Sequence, residues 1–214
     1  MPASKRLPPP PLTCLITAGE SNPSNFNEKK SELLDLLRIA IETGISLFQI
    51  REKMLPARML FDLASEAGRM THGTNTRLLI NDRADIALAA EIDGIHLPTN
   101  SLRADVIRRS FPASFIIGVS AHSLGEVSSA AAQGADFAMF GPVYATPDKG
   151  QPTGLAELSR VCKLAGNFPV IGLGGINETN YPSVMESGAS GFAAIRYLNN
   201  AENLRKLSYD LTDE

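Results

Sequence analysis

The chain reads as an α/β protein, a single (β/α)8 TIM barrel. Three observations predict it: eight short apolar runs, amphipathic stretches between them, and recurring helix-to-strand joints with a glycine. The joints Glu42-Thr-Gly-Ile-Ser-Leu47, Gln133-Gly-Ala-Asp-Phe137 and Ser187-Gly-Ala-Ser-Gly-Phe192 each put Gly where a helix end needs a left-handed residue. The unit recurs about every 20 to 30 residues, as a βα repeat does.

In chain order, the first predicted strand is Leu12–Ala18, an apolar run broken by Gly19. The next stretch, Glu28–Thr43, carries Leu33, Leu34, Leu37 and Ile41 at helical spacing. Strands follow at Leu47–Ile50, Arg77–Asn81, Gly94–Leu97 and Phe115–Ser120, then at Phe137–Val143, Val170–Gly174 and Phe192–Arg196. Helices are expected over Ala57–Met70, from near Ala84, and over Arg103–Ser110, Ser123–Gln133, Leu155–Ala165, Glu178–Ser187 and Glu202–Leu211. Residues 12–214 make one barrel domain. Residues 1–11, with four consecutive prolines at Pro8–Pro11, read as a disordered, polyproline-like lead-in rather than a secretory leader.

Composition narrows the function. The 214 residues are 43% hydrophobic and 20% charged, ordinary for a globular domain. The net charge of −3 argues against an extended nucleic-acid surface, so any anion site is a local concentration of cations. No apolar run approaches the roughly 20 residues that span a bilayer, so no membrane partner is expected. Cys14 and Cys162 lack metal-ligand spacing and suit buried free thiols, and the cytoplasm is the expected location. Homo-oligomer formation is compatible with the sequence.

Polar residues gather at the carboxyl ends of the runs, where a barrel carries its active site. Gln49, Arg51 and Lys53 alternate along an extended backbone and so face one side if the strand continues. Two cations and an amide on one side suit a phosphorylated or pyrophosphorylated small molecule; the competing reading is a solvated strand end. Asn81-Asp82 offers oxygen donors for Mg²⁺, or Asp82 caps the next helix. His96 ends the fourth strand, as a ligand or a satisfied core residue. Ser120 and His122 end the fifth, and His122 is suited to proton exchange or to a backbone hydrogen bond. Thr146 and Lys149 lie in the Ala145–Thr153 loop, which is long enough to fold over a ligand; Lys149 is otherwise an exposed loop lysine. Gly172, Gly174 and Gly175 leave backbone amides open to phosphate after the seventh strand, or simply form a tight turn. Arg196 at the eighth complements that phosphate or pairs with the terminal helix.

From about Leu12 to Leu198 these pieces resemble the thiamine phosphate synthase/TenI superfamily. The matching motifs are Gln49-Ile-Arg-Glu-Lys53, Leu79-Ile-Asn-Asp-Arg-Ala-Asp-Ile-Ala-Leu88, Gly94-Ile-His-Leu97, Ile117-Gly-Val-Ser-Ala-His-Ser123, Phe140-Gly-Pro-Val-Tyr-Ala-Thr-Pro-Asp-Lys149 and Gly172-Leu-Gly-Gly-Ile176. The resemblance implies an enzyme that joins hydroxymethylpyrimidine pyrophosphate to a thiazole phosphate with release of pyrophosphate. It implies that Gln49, Arg51, Lys53 and Asn81 hold the pyrimidine substrate and that Asp82 binds Mg²⁺. Ser120 and Lys149 then bind the departing pyrophosphate, while Gly174 and Gly175 hold the thiazole phosphate; Thr146 and Arg196, at neighbouring strand ends, are expected to join the substrate site. The partners implied are small phosphorylated pyrimidine and thiazole substrates.

Two departures stand out. Where the synthase pattern resembles His-Leu-Gly-Gln-x-Asp, with the Asp a second Mg²⁺ ligand, this chain has His96-Leu-Pro-Thr-Asn-Ser101. Arg196 stands where the eighth strand usually ends in a phosphate-binding Ser. The Leu-Pro-x-x-Ser segment resembles TenI proteins, one branch of which is a metal-independent thiazole tautomerase with His122 as its proton-transfer group. Arg51, Lys149 and His122 are therefore the expected catalytic residues across the two reactions. A non-catalytic phosphate-binding relative is the third reading.

Overall fold

The computed structural model describes residues 7–147 and 149–212. Eight parallel strands close into a barrel in sequential order: β1 (Leu12–Ile16), β2 (Leu47–Ile50), β3 (Arg77–Asn81), β4 (Gly94–Leu97), β5 (Ile116–Ala121), β6 (Phe137–Phe140), β7 (Val170–Leu173) and β8 (Gly191–Ala194). Between and after them run α1 (Phe26–Glu42), α2 (Ala57–Thr71), α3 (Ala84–Ala89), α4 (Ala104–Ser110), α5 (Leu124–Ala132), α6 (Gly154–Ala165), α7 (Tyr181–Glu186) and α8 (Ala201–Thr212). This is the (β/α)8 TIM barrel that the alternation predicts.

The strands are almost wholly buried because both faces are covered, which is why they read as near-continuous apolar runs. Period-two alternation sorts them into two cores. Leu12, Cys14, Ile16, Leu47, Leu79, Ile116, Phe137 and Met139 fill the barrel interior. Leu15, Phe48, Ile50, Leu78, Ile80, Ile95 and Ile117 pack outward against helix residues such as Leu37, Leu63 and Ile86. Phe137 is the largest interior side chain on β6, and Gly118 makes room for it: a Cβ there would lie 2.2 Å from the ring. Burial raises the thiol pKa of both cysteines, Cys162 to about 11, and both are free.

Several boundaries differ from the expectation, each for a local reason. β1 stops at Ile16 because the Thr17 hydroxyl is engaged by the neighbouring loop, donating to Glu52 and accepting from the Arg51 backbone N–H. β6 stops at Phe140 because Pro142 has no N–H to continue the ladder. α7 starts at Tyr181, later than Glu178, since Asn177 to Asn180 fold into a turn in which the Asn177 N–H donates to Asn180 Oδ1 at 2.9 Å. Residues 1–6 of the proline-rich lead-in lie outside the described residues, and Leu7 packs against the interior core. Among the described residues, no helix is long and apolar enough to cross a membrane.

Candidate active site

A cavity of about 790 Å³ opens at the carboxyl ends of the strands. It takes in Gln49, Arg51, Lys53, Asn81, Ser120, His122, Thr146, Lys149, Gly174, Gly175 and Arg196, so eleven of the twelve expected site residues share one pocket. The alternation that fills the barrel with Leu47 and Leu79 also aims Gln49 and Asn81 inward, one layer higher. Arg51 and Lys53 keep that phase beyond the last residue of β2.

Asp82 is the twelfth, and it stands apart from the cavity wall. It is exposed, holds a left-handed backbone conformation (φ 58°) and accepts a hydrogen bond from the Ser101 hydroxyl. It does not cap α3: Arg83 occupies the N-cap position, and its guanidinium binds Asp85 at 2.6 and 2.9 Å. The carboxylate therefore remains available at the rim beside Asn81. Among the described residues, no three His, Cys, Asp or Glu side chains converge as a metal cluster.

The floor is polar and under-satisfied. Gln49 is 1% exposed; its Nε2 reaches Asn81 Oδ1 at 3.4 Å, while Oε1 is buried without a hydrogen-bond partner among the described residues. His96 is not the fully satisfied core residue that its place in an apolar strand leads one to expect. Its Nε2 meets Ser120 Oγ at 2.9 Å, and Nδ1 has no partner among the described residues. Burial, with a smaller push from the Arg51 charge, lowers the His96 pKa to about 4. An acceptor left unpaired while buried is costly, so Gln49 Oε1 at the cavity floor marks where a ligand N–H supplies the missing group.

Glu52 was not singled out from the sequence, yet it sets the geometry beside it. It is 3% exposed and accepts hydrogen bonds from Thr17 Oγ1 at 2.6 Å, Ser21 N at 2.8 Å and Gly19 N at 3.1 Å. Thr17 Oγ1 in turn accepts from the Arg51 N–H at 2.8 Å. The loop after β1 is thus clamped to the end of β2, with Arg51 held between. A signal was present: Glu52 shares the phase of Phe48 and Ile50, so it points to the buried outer side, where a charge requires partners.

The opposite wall is built by two loops joined along their backbones. Val143 N donates to Leu173 O at 2.8 Å and Tyr144 N to Gly174 O at 3.0 Å. Gly175 sits beneath this strap with φ 66°, where a Cβ would lie 2.7 Å from both Ala145 O and Tyr144 Cβ. Gly175→Ala is expected to cost about 1–3 kcal/mol through strain and displacement of the strap. Thermal melting and a phosphate titration, both lowered, check this; an unchanged melt contradicts it. Lys149 and Arg196 are exposed at the rim, and Arg196 forms no ion pair among the described residues.

His122 lies on the same side. Its Nδ1 contacts Gly141 O, which as an acceptor fixes the proton on Nδ1 and leaves Nε2 unprotonated in the neutral ring. Its backbone N–H donates to Glu126 Oε2 at 2.6 Å, and Ser123 caps α5 by accepting from Glu126 N. Asn177, Tyr197 and Asn203 also line the cavity without having been picked out from the sequence.

A closed (β/α)8 barrel with Arg51, Lys53 and a glycine turn lining its mouth has the architecture of a barrel enzyme with its site at the carboxyl ends of the strands. The family model described as thiamine monophosphate synthase matches residues 14–198. The chain belongs to this thiamine monophosphate synthase family. It is 46% identical over 167 residues to a putative thiamine-phosphate synthase of Geobacter sulfurreducens, covering 77% of this chain and 78% of that one. It is 36% identical over 166 residues to the thiamine-phosphate synthase of Roseiflexus castenholzii, covering 76% and 72%. Among solved structures, the thiamine phosphate pyrophosphorylase from Pyrococcus furiosus superposes with a TM-score of 0.78 at 27% identity, covering 94% of this chain and 96% of that one.

Proposed function

We propose that this enzyme joins hydroxymethylpyrimidine pyrophosphate to a thiazole phosphate, forming thiamine phosphate and releasing pyrophosphate. The observation that carries the reading is the cavity's division: an unpaired amide oxygen and two cations on the β2 side, and a glycine turn across from them. Each wall suits one of two anionic substrates.

Gln49 Oε1 accepts a hydrogen bond from the pyrimidine, and Asn81 orients that amide. Arg51 and Lys53 bind the pyrophosphate, Lys149 closes over it from the loop, and Ser120 donates to it from the floor. The carbon–oxygen bond to the pyrimidine methylene breaks with its electron pair leaving on the pyrophosphate. The cations stabilise that charge as it forms. The thiazole nitrogen then gives its lone pair to the methylene carbon. Gly174, Gly175, Thr146 and Arg196 hold the thiazole phosphate so that the nitrogen is already in line.

Asp82, with the Ser101 hydroxyl in contact with it, would hold Mg²⁺ at the β3–β4 rim, a set that suits an ion which usually keeps water and substrate phosphate among its ligands. When bound, the ion supplies further neutralisation of the leaving pyrophosphate. The neutral Ser101 hydroxyl leaves Asp82 as the acidic member of that pair and predicts a high Mg²⁺ requirement. The free state of both cysteines supports a cytoplasmic setting, and the partners are the two small phosphorylated substrates.

One observation favours a second reaction, tautomerisation of a thiazole carboxylate phosphate without metal. His122 sits on the cavity wall with Nε2 able to act as a base. A paired assay on one purified sample decides between the two. Coupled product and pyrophosphate are expected in proportion to added Mg²⁺ and lost with chelator; no coupled product at any Mg²⁺ concentration eliminates the synthase reading. Metal-independent aromatisation that disappears in His122→Ala would establish the other.

A further inference from the structure

His96 and Ser120 are separated by 24 residues in sequence and meet inside the barrel, Nε2 lying 2.9 Å from Oγ. The imidazole is 4% exposed and tilted at 33° against the Phe137 ring, with centroids 6.2 Å apart. The ring is buried and forms no ion pair among the described residues, so it is neutral and carries a single N–H. Nδ1 has no partner among the described residues, so the position of that proton decides what is left unsatisfied. A proton on Nδ1 creates a buried donor with no acceptor. A proton on Nε2 leaves only a lone pair unused. Orphaned buried N–H groups are the rarer of the two in folded proteins, so the Nε2–H form is favoured.

In that form Nε2–H donates to Ser120 Oγ and occupies one of its lone pairs. The hydroxyl proton must then point to another acceptor. We propose that His96 is a positioning residue that makes Ser120 an obligate hydrogen-bond donor to the departing pyrophosphate. The proposal rests on the synthase reading for the identity of that anion. Imidazole N–H, hydroxyl and anionic oxygen form one polarised chain, in which the second bond strengthens the first. The relay adds no charge to a wall already holding Arg51 and Lys53, and it favours a ligand oxygen over a ligand N–H at that point.

The test uses the full-length protein. Nitrogen-15 NMR of the histidine-labelled wild type is expected to show a protonated Nε2 and a bare Nδ1 for His96; the reverse tautomer overturns the proposal. Calorimetry with inorganic pyrophosphate and Mg²⁺ is expected to show roughly 10- to 100-fold weaker binding for His96→Leu and for Ser120→Ala, as for loss of one hydrogen bond to a charged group. The double variant should bind no more weakly than the weaker single variant, and His96→Gln, which restores an amide donor, should recover most of the loss. Additive losses, or wild-type affinity in His96→Leu, overturn it. Coupling assays on the same samples separate the two ideas. The tautomer and non-additive losses without coupled product sink the synthase reading and keep the relay; coupled product with additive losses does the opposite.

Discussion

Arg51→Met is expected to lower kcat/KM for coupling by about 100- to 1,000-fold while leaving the melting temperature within a few degrees of wild type. Removing a donor aimed at developing charge typically costs about 3–4 kcal/mol, with about 1.4 kcal/mol to each factor of ten. The structure explains why the stability cost stays small. Arg51 lines the cavity and forms no ion pair among the described residues, so its loss strands no carboxylate. Arg51→Lys should fall between the two, since an ammonium keeps the charge and loses the planar fork. Steady-state kinetics with a melting curve check this. A variant within threefold of wild type would remove Arg51 from the catalytic set.

Glu52→Ala should show the reverse pattern, with stability lost first. Its carboxylate satisfies Thr17 Oγ1 and the N–H groups of Gly19 and Ser21, all within 3.1 Å. Truncation leaves three donors without their acceptor in a largely buried place, at about 1–3 kcal/mol each before water partly replaces it. A net loss of about 3–4 kcal/mol is expected, a fall of roughly 10 °C in Tm for a domain of this size. Glu52→Gln should lose nearly as much, because one oxygen becomes an amide donor facing another N–H. Activity falls because the Thr17 hydroxyl that holds the Arg51 backbone loses its own anchor. Differential scanning calorimetry with kinetics below the transition distinguishes this from a direct contact with substrate: a normal Tm with lost turnover would mean that Glu52 acts on the ligand itself.

Much of the fold was legible because short apolar runs with clear limits leave a strand little freedom. β2, β3 and β4 run over the predicted residues, bounded by Ser46 and Arg51, by Thr76 and Asp82, and by Asp93 and Pro98. The cavity wall was legible for the same reason, since period two carries Gln49, Arg51 and Lys53 to one side. Long-range pairings were not legible. Ser101 reaches Asp82 across 19 residues and Ser120 reaches His96 across 24, and no local pattern encodes either contact. The left-handed backbone of Asp82 was equally hidden, because aspartate, unlike glycine, gives no compositional warning of it. The family resemblance named these residues without showing how they are supported.

The period-two alternation along residues 47–53 separates two kinds of structural demand within a single heptapeptide. Gln49, Arg51 and Lys53 line the cavity, whereas Phe48 and Ile50 pack against the helices and Glu52 holds the loop behind the sheet. A barrel wired this way can exchange residues 49, 51 and 53 and acquire a new substrate without renegotiating the layer that Leu47 fills beneath them. Residues 48, 50 and 52 remain as the heritable frame on which such trials are made.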